Sequence, residues 1–284
     1  MPADAPNAIG GGRVARYGLR AIALSYLGLI LVAPLVFVVY RTFDQGLDTF
    51  WNAVTSPDAL HALWLTILIT AIAVPLNTLF GIAAALMLVR SRVPGRTLMS
   101  ALIDLPLALS PVVVGLCILL VWGQNAWFGA SAQDAGVQVV FAVPGMVLAT
   151  IFVSLPFVVR EVVPVLREVG TDQEEAASIL GAGSGQTFWR ITLPAIRWGI
   201  IYGVVLTTAR ALGEYGAVAV VSGRISGDTE TLTLFVKQQT DQFGPDAEVA
   251  AYGASVVLIL LAVAVVLLMN LLNRKGGGDG HHGH

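Results

Sequence analysis

An arginine and a glutamate stand four residues apart in the apolar segment "TTARALGEYGAVAVVSG". Arg210 lies thirteen residues beyond Arg197, about 20 Å along a helix, which is deep for a membrane-spanning segment. Charges at such depth are costly, face protein or water, and mark functional sites. Because Arg210 and Glu214 share a helix face, they can pair. Two interpretations stay open: a salt bridge that fixes the helix in its bundle, or an arginine that assists the passage of an anion beside Thr207 and Thr208.

A second polar set occurs in "DLPLALSPVVVG", which contains Asp104 and Ser110. The prolines and the glycine of this stretch predict a broken or kinked helix, which a membrane tolerates where the backbone faces protein or a wet path. A kinked bundle suits a pathway that opens alternately to each side. Asp104 and Ser110 are therefore candidate pathway residues.

The sequence lacks the patterns of an enzyme. It contains no Gly-Lys dipeptide and hence no G-x-x-x-x-G-K-[ST] loop to hold the phosphates of ATP. His61 stands apart from the histidines of the tail, no nucleophile has a base at a suitable spacing, and the single Cys117 lies in an apolar run as a packing residue. We expect no metal and no cofactor bound by this chain, and no nucleic-acid partner.

The elements that carry these residues are predicted to be membrane helices. Of 284 residues, 56% are hydrophobic and only 12% are charged, which is typical of a polytopic membrane protein and predicts an all-α bundle. A span takes about 20 apolar residues. The qualifying segments are approximately 19–40, 62–89, 98–122, 139–163, 195–221 and 250–272. They form a domain over 19–272, between a tail at 1–18 and a flexible, histidine-containing tail at 273–284.

Basic residues are unevenly distributed between the connections. Twelve Lys and Arg residues flank one set of connections, and only Arg41, Arg224 and Lys237 flank the other. Since basic residues stay on the cytoplasmic side, both termini and the loop 164–194 are predicted to be cytoplasmic. An even number of spans requires the same arrangement of the termini.

The loop 170–194, "GTDQEEAASILGAGSGQTFWRITLP", predicts two short helices that meet at glycines. Thr171 and Glu174 have the spacing of a capping box, and the acids suit the positive end of a helix dipole. The first helix is expected to reach about Leu180, where Gly181 takes a left-handed turn. A second helix over "QTFWRIT" is expected to stop before Pro194.

One face of the first helix is apolar, because Ala176, Ile179 and Leu180 fall at positions i, i+3 and i+4. From these features alone, the loop either packs against its own chain or presents a small apolar face to another protein.

A set of residues at fixed spacing in this loop resembles the EAA loop of bacterial ABC importer permeases. The matching residues are Glu175, Ala176, Ala177, Gly181, Ile191, Leu193 and Pro194. The resemblance implies coupling helices that seat in a cleft of a separate ATP-hydrolysing subunit. It implies that Glu175, Ala176, Ala177 and Gly181, with the adjacent Glu174, form the seat. Ile191, Leu193 and Pro194 would anchor its return to the membrane.

Three stretches together, "LPLALSPVVVG", the loop 170–194 and "LTTARALGEYGAVAVVSG", resemble the sulfate/thiosulfate permeases of the CysW type. The resemblance covers about residues 20–272 and implies a type I ABC importer permease in the lipid of the inner membrane, moving the anion by alternating access. It implies a second, homologous permease subunit in a heterodimer, two copies of an ATPase subunit that uses ATP and Mg, and a periplasmic sulfate/thiosulfate-binding protein.

Other functions stay open at this point. Molybdate and tungstate permeases share the "LGE[FY]GA" pattern, so the anion is less specified than the family. An ion-coupled carrier that works alone would have no need of the loop 170–194. A subunit that supports assembly while its partner lines the path is a further alternative, and a membrane hydrolase lacks the residues it would need.

Overall fold

The computed structural model describes residues 13–91 and 94–276, and helices joined by short turns and loops make up this part of the protein. The helices are α1 (Arg13–Leu27), α2 (Ala33–Phe43), α3 (Leu47–Val54), α4 (Pro57–Arg90), α5 (Arg96–Ala108), α6 (Pro111–Trp122), α7 (Trp127–Asp134), α8 (Val143–Val169), α9 (Asp172–Ile179), α10 (Ser184–Thr187), α11 (Leu193–Ala195), α12 (Arg197–Leu212), α13 (Val218–Val221), α14 (Leu232–Asp241) and α15 (Pro245–Gly276). Two π-helical turns, Gly28–Val32 and Phe188–Thr192, join α1 to α2 and α10 to α11. The histidine-containing end of the predicted tail lies outside the described residues.

Four helical segments of the described chain are long and apolar enough to cross a membrane: Tyr17–Phe43, Pro57–Arg90, Val143–Val169 and Pro245–Met269. Two further pairs of helices qualify together but are bent, α5 with α6 by 111° and the helix 184–195 with α12 by 68°. If each bent pair is one span, the number is six, as the sequence predicts. The boundaries of the predicted domain stay a prediction.

The segment predicted as one span at 98–122 is divided at Leu109 and Ser110. Both residues are extended, and the next helix begins at Pro111. A proline disfavours the helical conformation in the residue before it, yet fits the first turn of a new helix. The predicted break is therefore confirmed, and the bend of 111° is larger than a kink in a continuous span.

The segment predicted at 195–221 is also divided. Helix α12 ends at Leu212, and the chain turns through Gly213 and Glu214 before the short α13. The amide of Ala217 donates to Glu214 Oε1 at 2.8 Å, so a side chain supplies the acceptor that a continuous helix would have provided. The helix is therefore interrupted within the predicted segment, where the buried Glu214 carboxylate stabilises the turn.

The core forms where α4, α8 and α12 cross. Glycines allow the helices to approach closely: a Cβ at Gly81 would lie 2.6 Å from Val158, and one at Gly203 would lie 2.8 Å from the same residue. The Asn77 amide, also buried, donates to Ser154 Oγ at 2.8 Å and joins α4 to α8. Close packing at small residues and buried polar contacts stabilise membrane helix pairs, because the hydrophobic effect does not favour association of helices within lipid.

The segment between α13 and α14 folds back onto α4. The Leu232 amide donates to the buried Thr66 hydroxyl at 2.8 Å. This segment contains Glu230, which is buried and accepts a hydrogen bond from Ser226 at 3.0 Å. Burial raises the pKa of the Glu230 carboxyl above its ordinary value of 4.5; the Ser226 hydroxyl opposes the rise, and the Asp58 carboxylate adds to it.

We expect the substitution Glu230→Gln to stabilise the protein at neutral pH. A raised pKa means that the folded state binds the proton more tightly than the unfolded state, so Glu230 favours folding below about pH 4.5 and loses that contribution as pH rises through the folded pKa. The variant's Tm in detergent should exceed the wild-type Tm at pH 8, and the difference should shrink towards pH 4.5. The matched control is Glu248→Gln, a change at an exposed carboxylate. A difference independent of pH would contradict the assignment.

Candidate functional sites

Residues 170–195 form a bent pair of helices that projects from the bundle, here called the elbow. Its corner is Gly181, with a φ of +84°, a conformation that favours glycine. The Ala182 amide donates to the Ala177 carbonyl and the Gly181 amide to the Ser178 carbonyl, both at 3.0 Å. These two bonds close a helix end in the Schellman manner. The predicted left-handed turn at Gly181 is confirmed.

The predicted capping box is wrong. The Thr171 hydroxyl donates to Glu175 Oε1 at 2.7 Å and makes no hydrogen bond to the backbone of α9. Glu174, the other expected member, turns away from the helix start towards Arg90. The capping box does not form, because Arg90, distant in the sequence, provides the Glu174 carboxylate with a charged partner.

Arg90, the last residue of α4, fastens the elbow to the bundle. Its guanidinium makes two hydrogen bonds to the Glu174 carboxylate, 3.0 Å from Nε and 3.2 Å from Nη2. It also donates to the carbonyls of Leu166 and Gly170 at the end of α8. Thr192 on the returning helix donates to Glu174 Oε1 at 2.9 Å. One arginine and one glutamate therefore connect α4, α8 and both arms of the elbow.

The free end of the elbow is apolar and exposed. The side chains of Ile179 and Leu180 are 86% and 87% exposed, and Trp189 on the second arm is 68% exposed. Glu175 and Ala176 are also exposed, whereas Ala177 is buried within the elbow. In the described chain the predicted apolar stripe is thus largely free of intrachain packing, and it forms a surface of the kind that partners cover.

The second arm continues through Pro194. A π-helical turn over Phe188–Thr192 precedes it, and the Leu193 amide bonds to the Phe188 carbonyl. The extra residue in this turn shifts the register of the backbone hydrogen bonds, and a new α-helical segment begins after it. Pro194 therefore stands in the first turn of α11, where a missing N–H breaks no helical hydrogen bond. The expected stop before Pro194 is wrong. Ile191 and Leu193 are partly buried along this arm, and Pro194 is exposed.

The predicted ion pair of α12 is present. Arg210 Nη1 lies 2.6 Å from Glu214 Oε2, and the Glu214 side chain is 2% exposed. The Glu214 backbone carbonyl accepts from the Thr233 hydroxyl at 2.8 Å. Glu214 therefore holds α12, α13 and α14 together, while the Arg210 side chain is 30% exposed. This geometry favours the interpretation as a fixed salt bridge.

The other predicted pathway residues lie on three different elements, with Thr207 and Thr208 adjacent on α12. Asp104 on α5 accepts from Arg160 Nε on α8 at 2.9 Å, an ion pair that the sequence did not predict. Ser110 stands at the break before α6. Thr208 donates to the Val204 carbonyl at 2.7 Å, within its own helix. Thr207 is buried, and its hydroxyl has no hydrogen-bond partner in the part of the chain described.

Arg90 and Arg160 are the charged residues whose structural roles the sequence did not disclose. Both stand in the clusters of basic residues that indicate the cytoplasmic side, so the sequence explains their presence through topology alone. A usable signal exists for Arg160, because the predicted span 139–163 contains it and a charge inside a span needs a partner.

A family model described as "Binding-protein-dependent transport system inner membrane component" matches residues 77–276, more than half of the chain. The chain belongs to this family of transport permeases. The permease is 51% identical over 267 residues to the sulfate transport system permease protein CysW of Synechocystis sp., covering 94% of this chain and 95% of that relative. It is 36% identical over 260 residues to the sulfate transport system permease protein CysT of the same organism, covering 90% and 88%.

The fold has relatives among solved structures. A bacterial alginate ABC transporter, solved in complex with an alginate pentasaccharide-bound periplasmic protein, matches 93% of this permease and 95% of its own chain with a TM-score of 0.75 at 18% identity. The predicted all-α bundle of the ABC importer permease type is confirmed. Family membership likewise confirms a membrane transport component, not an enzyme, with ATP hydrolysis in a separate subunit.

Proposed function

We propose that this permease moves sulfate, and thiosulfate with it, across the inner membrane as one subunit of an ATP-driven importer. The observation that supports it most strongly is the 51% identity to a sulfate transport system permease along nearly the whole of both chains. Similarity to both CysW and CysT supports a heterodimer with a second permease subunit. The fold shared with a transporter that binds a periplasmic protein supports delivery of the anion by such a protein.

The elbow is the proposed contact with the ATPase. Its apolar end, Ile179 and Leu180, would sit in the cleft of that subunit, with the exposed Glu175 on the same arm, while Glu174 holds the arm to Arg90. Two copies of the ATPase would bind ATP and Mg, one against each permease subunit. Both termini of the permease would then face the cytoplasm, on the side of the elbow.

The contacts of the elbow give a route from the ATPase to the membrane. Arg90 joins the first arm to α4 and α8, and the second arm leads through Ile196, a buried residue, into α12. These three helices form the core of the bundle. Movement of the elbow with the ATPase would therefore tilt the core as a unit and open the pathway alternately to each side, because a packed core moves between discrete arrangements.

Uptake of labelled sulfate into proteoliposomes tests this proposal. The vesicles would contain the permease, its partner permease and the ATPase, with ATP inside and the binding protein outside. We expect uptake that requires ATP and that unlabelled thiosulfate suppresses. Stronger suppression by molybdate or tungstate than by thiosulfate would make those oxyanions the substrate. Uptake by the permease alone without ATP would overturn the proposal in favour of an ion-coupled carrier.

The corner of the elbow offers a graded test. We expect Gly181→Ala to lower ATP-driven uptake roughly fivefold, since a side chain in the left-handed conformation costs at least about 1 kcal/mol. No atom of this chain outside the adjacent residues lies within 4 Å of the added Cβ, so within the permease its effect is strain in the backbone. Gly183→Ala is the matched control, because that glycine has a φ of −71° and equal space. Gly181→Asn should retain more uptake than Gly181→Ala. Equal activity of both alanine variants would show that the corner does not need this conformation.

A further inference from the structure

Helices α5 and α8 enclose a groove rich in arginine, near the start of α5 and the end of α8 that leads to the elbow. Its volume is about 440 Å³, and Arg96, Thr97, Ser100, Asp104, Arg160 and Arg167 provide its polar lining. Three arginines face one carboxylate there, which leaves a formal charge of +2. This groove is separate from the apolar end of the elbow and from the Arg210–Glu214 pair.

The Asp104–Arg160 ion pair fixes how the two helices run past each other. Thr97 and Arg167 each lie seven residues from that pair, one towards the start of α5 and one towards the end of α8. Both line the same groove, so the helices are antiparallel and the groove extends about 10 Å along them. Arg96 and Arg167 stand at the end of the groove nearer the elbow, and Arg160 stands at the end farther from it.

The exposure of this ion pair indicates what the groove faces. Arg160 and Asp104 are 57% and 39% exposed, and the end of α8 beyond Arg160 also contains Glu161, Arg167 and Glu168. A helix end with four charged residues among nine does not face hydrocarbon, since desolvation without further partners is too costly. The groove therefore opens to water or to a water-lined interface with another subunit.

We propose that this groove binds a tetrahedral oxyanion on its way out of the pathway. A guanidinium presents parallel N–H donors that match two oxygens of such an anion, and the described chain gives Arg96 and Arg167 no ion-pair partner of their own. Thr97 and Ser100 add hydroxyl donors. The identification of the anion as sulfate rests on the proposed function.

Asp104 makes this site a weak one. It already occupies Arg160 Nε, so an incoming dianion must share or replace that contact. A transport path needs sites that bind well enough to admit the ion and weakly enough to release it. The groove is thus suited to release of the anion on the side of the elbow, and we expect sulfate inside a vesicle to slow further uptake.

Binding of labelled sulfate to the assembled complex in phosphatidylcholine nanodiscs tests the site without transport. We expect the wild-type complex to bind sulfate at this groove with millimolar affinity at constant ionic strength. In the double variant Arg96→Gln/Arg167→Gln, we expect the affinity of this site to be at least tenfold weaker. The amount of sulfate bound by the ATPase subunits is the same in both complexes, so it does not contribute to the difference between them. Arg20→Gln is the control, because it removes an exposed arginine from the first helix, outside the groove. Equal sulfate binding in wild type and double variant would overturn a free-anion site.

A lipid phosphate has the same chemistry, so a second arm uses nanodiscs with phosphatidylglycerol. Retention of that lipid by the wild-type complex and not by the double variant, without a difference in sulfate binding, would assign the groove to a lipid headgroup. No difference in either arm overturns the proposal. Proteoliposome uptake distinguishes failure of the groove proposal from failure of the proposed function. ATP-driven sulfate uptake with no difference in sulfate binding would contradict the groove proposal alone. Absence of sulfate uptake in the wild type would contradict the proposed function.

Discussion

The double substitution Ile179→Asp/Leu180→Asp is expected to abolish ATP-driven uptake while the permease still inserts in the membrane. Both side chains are almost fully exposed, so the change removes no packing from the described fold. Burial of such a side chain in a partner stabilises a complex by about 1.5–3 kcal/mol. Loss of two of them weakens association roughly a hundredfold or more, and the introduced carboxylates would add the cost of desolvation.

The measurement is recovery of the ATPase subunit with the tagged permease, alongside sulfate uptake in proteoliposomes. We expect both to fall together. Single changes to alanine should give smaller and separate losses, since each removes one of the two apolar contacts. The control is Phe243→Asp, which introduces one carboxylate at another fully exposed apolar side chain, between α14 and α15. Full recovery of the ATPase with the double variant would exclude the elbow as the docking surface.

Local signals in the sequence predicted the elbow well. Gly181 follows a short apolar stripe, and a glycine at that place ends a helix whatever surrounds it, because the requirement lies in its own backbone. The break at Ser110 was likewise predictable from Pro111, which restricts the residue before it. Features of this kind depend on one or two neighbouring residues, so a single sequence contains them.

The parts that the sequence did not predict depend on residues far apart in the chain. Glu174 has the spacing of a capping box, but Arg90, more than eighty residues earlier, takes its carboxylate. The turn after α12 depends on Glu214 as the acceptor for Ala217, and the sequence alone presents Glu214 only as a partner for Arg210. Asp104 appeared as an isolated pathway residue because nothing near it in the chain indicates Arg160.

Separation of ATP hydrolysis from transport is the expected result of breaking the Arg90–Glu174 pair. Arg90→Gln leaves the Glu174 carboxylate without its guanidinium and withdraws the charged donor from the carbonyls of Leu166 and Gly170. Removal of one partner from a largely buried pair costs about 3 kcal/mol or more. The elbow would then still reach the ATPase through Ile179 and Leu180, but its first arm would no longer be fixed to α4 and α8.

The readout is therefore the ratio of ATP hydrolysed to sulfate transported, and we expect it to rise more than tenfold in Arg90→Gln. Glu174→Gln should act in the same direction, and Arg90→Lys should fall between wild type and Arg90→Gln because it keeps the charge but not the paired geometry. Arg197→Gln is the control, since it removes an exposed arginine whose described contact is with the Trp198 ring. A role confined to stability would lower the amount of complex and leave the ratio unchanged. An unchanged ratio in all three variants would therefore mean that force reaches the core through the second arm and α12, and that Arg90 only holds the elbow in place.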